Sequence, residues 1–137
     1  ISYAPDNHER MTLLRESKIA GLAADIPDAE VDADEGAEVL VLGWGSSYGA
    51  ILAGVRRVRA RGLKVARIHL RHLNPFPANL GEALRQYKKV VIPELNRGQL
   101  WRLVRAEYLV DAVRYAKVQG QPFKAAEIEA KLMELIG

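Results

Sequence analysis

Four stretches of the chain have the apolar patterning of strands, and the segments between them carry apolar residues at helical spacing. Val39-Leu40-Val41-Leu42 is a continuous apolar run, as expected for a strand covered on both faces in a parallel sheet. A second strand over 63–70 alternates instead. Ala66, Ile68 and Leu70 share one face, with Val65, Arg67, His69 and Arg71 on the other. Charge on one face places this strand near a sheet edge or at an interface. Val90-Val91-Ile92 is a third, wholly apolar strand. A fourth, over 112–118, has Val113, Tyr115 and Lys117 alternating with smaller residues.

The helical segments fall between these strands. Gly43-Trp44-Gly45-Ser46-Ser47-Tyr48-Gly49 turns the chain, with Ser46 or Ser47 available to cap the helix that follows to about residue 61. Its apolar stripe is Tyr48, Ile51, Leu52, Val55 and Val58, while Gly49, Ala50, Ala53 and Gly54 permit close approach by a neighbour. Arginines in its last turn favour the negative end of the helix dipole, and Gly62 ends it. Asn74-Pro75-Phe76-Pro77 forms a rigid loop. A short helix over 79–87 follows, then one over 99–108 with Leu100, Leu103, Val104 and Tyr108 on one side. A last helix over 125–135 turns Ile128, Leu132 and Leu135 inward. Strand and helix in alternation predict an open, mostly parallel sheet with helices on both faces. Ahead of it, a helix capped by Asp6 or Asn7, with Met11, Leu14, Lys18 and Leu22 on one stripe, ends near Ile26-Pro27. The acidic stretch 28–36 reads as a linker. The expected division is therefore 1–36, leading helix and interdomain linker, and 37–137, the domain proper.

Composition narrows the function. The 137 residues hold 20 Lys+Arg against 17 Asp+Glu, and an excess of +3 is too small to point to nucleic acid. The charge is segregated along the chain. Residues 39–81 hold seven basic side chains (Arg56, Arg57, Arg59, Arg61, Lys64, Arg67, Arg71) and no acid, after a strongly acidic first third. The first third either lies over the middle third by charge attraction or faces a different partner. Absence of cysteine excludes disulfides, a thiolate nucleophile and a cluster held by this chain. No apolar run approaches a membrane span, and a cytoplasmic setting is expected. Ile1 stands first, so the chain is expected to start inside a longer gene product or to have been trimmed.

The candidate chemistry is sparse. Gly43-x-Gly45-x-x-x-Gly49 has one residue too many before its third glycine for the dinucleotide fingerprint, and no acid ends the next strand. A tight packing turn and an anion site for the phosphates of a ligand such as coenzyme A remain open. Gly-Lys-Ser/Thr, Gly-x-Ser-x-Gly and the Gly-Asp-Gly…Asn-Asn segment that holds magnesium and diphosphate are all missing. His8, His69 and His72 are badly spaced for a metal. Glu94, at the end of an apolar strand, is the one acid placed as an active-site group would be. Its alternative role is a carboxylate paired with an arginine or capping the Asn96-Arg97-Gly98 turn.

Taken together, Val41-Leu-Gly-Trp-Gly-Ser-Ser-Tyr-Gly49, His69-Leu-Arg-His-Leu-Asn-Pro-Phe-Pro77 and Val90-Val-Ile-Pro-Glu-Leu-Asn-Arg-Gly-Gln-Leu100 resemble the C-terminal domain of the α subunit of 2-oxoacid:ferredoxin oxidoreductases, most closely the 2-oxoglutarate type. Asn7-His-Glu-Arg-Met11 and Gln119-Gly-Gln-Pro-Phe123 resemble the family's joining helix and final stretch. The resemblance implies a three-layer α/β/α domain like the C-terminal domain of transketolase. It also implies a whole enzyme that uses thiamine diphosphate, magnesium and an iron–sulfur cluster, decarboxylates a 2-oxoacid, reduces ferredoxin and releases an acyl-coenzyme A. The expected partners are the N-terminal domains of the same subunit, the β subunit, ferredoxin and coenzyme A, in an oligomer, with neither nucleic acid nor membrane. No cofactor, metal or catalytic residue is expected on this chain, and no turnover by it alone. Gly43, Gly45, Ser46, Ser47, Arg67, His69, Arg71 and Asn74 are the candidate contacts, either to coenzyme A or another anion, or to an acidic surface of a neighbouring domain. A free-standing nucleotide- or coenzyme A-binding α/β module is the alternative.

Overall fold

The computed structural model describes residues 25–95, 98–117 and 121–137. The expected leading helix lies outside the described residues. Five strands make one sheet: β1 (Asp32–Ala33), β2 (Val39–Trp44), β3 (Ala66–Leu70), β4 (Lys89–Glu94) and β5 (Val113–Ala116), in the order β1-β3-β2-β4-β5. All neighbours are parallel except β1, which runs antiparallel to β3. The helices are α1 (Tyr48–Ala60), α2 (Leu80–Arg85), α3 (Gln99–Tyr108) and α4 (Ala125–Ile136), with a single 3-10 turn at Gly45–Ser47 leading into α1.

The apolar run at 39–42 is central for the reason its pattern suggests. Leu40 and Leu42 join the core under α2 and α3, with Ile68, Leu84, Ile92, Leu100 and Val104. Val39 and Val41 join a second core under α1 and α4, with Ile51, Val55, Ile128 and Leu132. The alternation of a strand divides one apolar run between two layers. Burying one such side chain contributes about 1.5–3 kcal/mol. The outer helices α1 and α4 meet closely, because a carbon added at Gly54 would stand 2.6 Å from Ile128 Cβ and Cγ2.

Three expectations require correction. The acidic stretch 28–36 is more than a linker, since it supplies β1 at the sheet edge. Asp32 pairs opposite Arg67 there, so the acidic segment lies on the basic one. Leu103 is 48% exposed, and Tyr48 is 45% exposed, so neither belongs to a core stripe. Finally, Ser47 stands at the N-cap of α1 without capping it by its side chain; its hydroxyl donates to Trp44 O at 2.8 Å.

Candidate functional site

The sheet topology fixes where a ligand would meet this fold. From β2 the chain crosses through α1 to β3 on one side; from β4 it crosses through α3 to β5 on the other. Adjacent strands that diverge in this way open a crevice at their carboxyl ends. A cavity of about 250 Å³ lies there, lined by Trp44, Gly45, Ser46, Ser47, Pro93, Glu94 and Leu95. Gly45 has a φ of 61°, a left-handed conformation that favours glycine, and Gly43 leaves no room for a side chain beside Ile51.

Glu94 closes the floor of this crevice and is only 2% exposed. Its Oε2 accepts from Leu100 N at 2.8 Å and from Trp44 Nε1 at 3.1 Å, and its Oε1 accepts from Trp101 N at 2.9 Å. The carboxylate thus satisfies free amides in the first turn of α3 and faces the positive end of that helix. Of the two roles open in the sequence, the structure selects the cap, although it acts on the start of α3 and ties it to β2. With both oxygens engaged, Glu94 is not disposed as a general base.

A second cavity, of about 270 Å³, opens at the carboxyl end of β3. Its walls include Arg67, His69, Arg71, His72, Tyr48 and the 27–32 segment. Asn79 holds that segment through both amide atoms, accepting from Ala29 N at 2.7 Å and donating to Ala29 O at 3.0 Å. Arg67 Nε donates to Asp32 Oδ2 at 2.7 Å, and Arg59 bridges Asp32 and Asp34. Hydrogen bonds and charge from Arg59, with a further contribution from Arg67, hold the Asp32 carboxyl below the usual carboxylate range. Asp34 is lowered too, first by the Val65 amide and then by Arg59. Burial pushes His69 below its ordinary value, and the Arg71 and Arg67 charges add to this, favouring the neutral ring. Its buried Nδ1 has no hydrogen-bond partner, and the ring meets Tyr48 edge-on at 4.8 Å.

The candidate residues therefore divide between two places. Gly45, Ser46 and Ser47 line the switch-point crevice, with Gly43 in the strand beneath it. Arg67, His69 and Arg71 line the β3 cleft. Asn74 is exposed and lines neither. Tyr48 and Asn79 were missed by sequence reasoning. A tyrosine at the first position of a helix, directly after a Gly-Ser-Ser turn, was the available signal for the former. Among the described residues no group of three or more His, Cys, Asp or Glu is placed to hold a metal. None of the described helices is long and apolar enough to cross a membrane.

An open α/β/α sandwich with one antiparallel edge strand and a switch-point crevice defines the class. A split-gene transketolase shares the fold, with a TM-score of 0.58 and 17% identity over 78% of this chain and 41% of the other. The chain belongs to the family of pyruvate:ferredoxin oxidoreductase core domain II, whose model matches residues 37–128. It is 58% identical to the 2-oxoglutarate oxidoreductase subunit KorA of Mycobacterium tuberculosis, over 93% of this chain and 19% of that one. It also superposes on a chain of the 2-oxoglutarate:ferredoxin oxidoreductase from Magnetococcus marinus, described with 2-oxoglutarate, coenzyme A and succinyl-CoA bound. That match has a TM-score of 0.86 and 34% identity over 99% of this chain and 24% of the other. The chain spans about a fifth to a quarter of the length of these two relatives.

Proposed function

We propose that this chain is the assembly domain of the α subunit of a 2-oxoglutarate-type 2-oxoacid:ferredoxin oxidoreductase. The observation that carries the reading is the near-complete superposition on the Magnetococcus marinus enzyme, at a TM-score of 0.86. In this reading the whole enzyme is cytoplasmic and oligomeric. It decarboxylates 2-oxoglutarate, reduces ferredoxin and releases succinyl-coenzyme A, with thiamine diphosphate, magnesium and an iron–sulfur cluster held by neighbouring domains and the β subunit. The residues here do not fit those groups. The chain offers no cysteine for a cluster and no Gly-Asp-Gly segment, and the one buried carboxylate among the described residues, Glu94, has both oxygens engaged. What the chain supplies is shape, a stable sheet and contacts. Family membership favours this role over a free-standing module.

The β3 cleft is the contact we assign to a neighbouring domain. Arg71 is exposed and makes no ion pair among the described residues. Asp28, Glu30 and Asp32 in the same walls would repel the phosphates of coenzyme A, which favours a protein surface. Three measurements test the proposal. The full-length subunit, combined with its β partner, is assayed for 2-oxoglutarate- and coenzyme A-dependent reduction of methyl viologen. Deleting 25–137 should abolish both co-elution with the partner and turnover. Decarboxylation of 2-oxoglutarate by the isolated 137-residue chain with thiamine diphosphate would overturn the reading. Coenzyme A titration of the chain separates the two ligand classes: saturable binding lost in Arg71→Ala would replace the interface with a nucleotide site.

A further inference from the structure

On the opposite side of the sheet, α3 and β5 display cations with little to neutralise them. Trp101 is fixed in place: its amide donates to Glu94 Oε1, and its indole Nε1 donates to Ala112 O at 2.6 Å. The Arg105 and Arg114 guanidiniums lie 4.8 Å and 5.8 Å from the centroid of that ring. At 100° per residue, Trp101, Arg105 and Arg102 occupy successive positions around α3, so a third guanidinium extends the same face. The guanidiniums of Arg102 and Arg114 make no ion pair or hydrogen bond among the described residues. Among the described residues the Arg105 guanidinium pairs only with Asp111, at 3.6 Å, whose own side chain is 95% exposed.

Four other arginines are used within the domain. Arg59 and Arg67 hold Asp32, and Arg57 and Arg61 meet Glu129. The α3–β5 arginines instead rest on a rigid indole, which limits the freedom they would lose on pairing with a carboxylate. Trp and Arg are also the residue types that dominate interface energetics.

We propose that the α3–β5 face, with Arg102, Arg105 and Arg114 arranged around Trp101, is a docking surface for an acidic face of a second protein. Charge complementarity selects this occupant. Three cations are too few to hold a nucleic-acid backbone well at physiological salt. The surface is distinct from the β3 cleft and does not depend on the proposed enzyme role.

The test measures fluorescence anisotropy of a labelled octaglutamate peptide, and separately of a dT oligonucleotide, against the full-length subunit from 25 to 200 mM NaCl. The peptide should bind at low salt and weaken steeply as salt rises. Arg102→Glu/Arg114→Glu should weaken it at least tenfold, and Arg102→Gln/Arg114→Gln by about threefold. Arg56→Glu/Lys64→Glu makes the same change in net charge away from the face and should alter it less than about twofold. Melting curves check that each variant is folded. Equal loss in the two charge-reversed pairs, no peptide binding at 25 mM NaCl, or tighter binding of the oligonucleotide than of the peptide would each overturn the proposal.

Discussion

Replacing Glu94 by glutamine probes the joint between β2, β4 and α3 with almost no change in volume. The carboxylate accepts three hydrogen bonds from two oxygens, and it is 2% exposed. An amide has one oxygen. If that oxygen serves both Leu100 N and Trp44 Nε1, the amide nitrogen faces the Trp101 N–H, and two donors oppose each other. Losing one hydrogen bond to a buried charge costs about 1.5–3 kcal/mol. Losing the charge at the start of α3 adds about 0.3–2 kcal/mol. Relief from burying a charge offsets part of this. The expected net loss is about 3 kcal/mol, or a fall in Tm of roughly 10 °C for a domain of this size. Urea titrations of wild type and Glu94→Gln, followed by tryptophan fluorescence and far-UV circular dichroism, give the difference at a common m value. A change below about 0.5 kcal/mol, the range of an ordinary surface substitution, would refute the reasoning. It would mean that the two oxygens are not both needed as acceptors.

Three further outcomes follow from the packing and the charges. Gly54→Ala should destabilise by about 1–3 kcal/mol, because its new carbon meets Ile128 at 2.6 Å across α1 and α4; a chemical melt reads this directly. Leu109, with φ 55° and 89% exposed, sits where a left-handed residue costs about 1–2 kcal/mol, so Leu109→Gly should raise Tm by a few degrees in calorimetry. Asp32 and Asp34 have lowered values in the fold, so the stability they confer is present above the unfolded carboxylate value of 3.8 and is lost as pH falls through their folded values. Melting between pH 7 and pH 2 should therefore show a smaller acid-induced drop in Asp32→Asn than in wild type. If both curves fall equally, the Arg59 and Arg67 pairs contribute nothing to the acid limb.

The alternating layers and most element positions were legible in the sequence. Unbroken apolar runs at 39–42 and 90–92 can be satisfied only between two layers, and β3's split between apolar and charged faces placed it away from the centre. Local pattern carries that information, since burial repeats with the period of the strand. It could not carry the partners of residues 25 to 50 positions apart. Asp32 with Arg67, Asn79 with Ala29, and Trp44 with Glu94 meet only when separate strands and loops are brought side by side. For the same reason an acidic stretch without apolar content read as a linker became an edge strand, its pairing decided by the arginines of β3 and α1. Glu94's role was likewise undecided until α3 was set against β4, because a buried carboxylate takes its function from the donors that surround it.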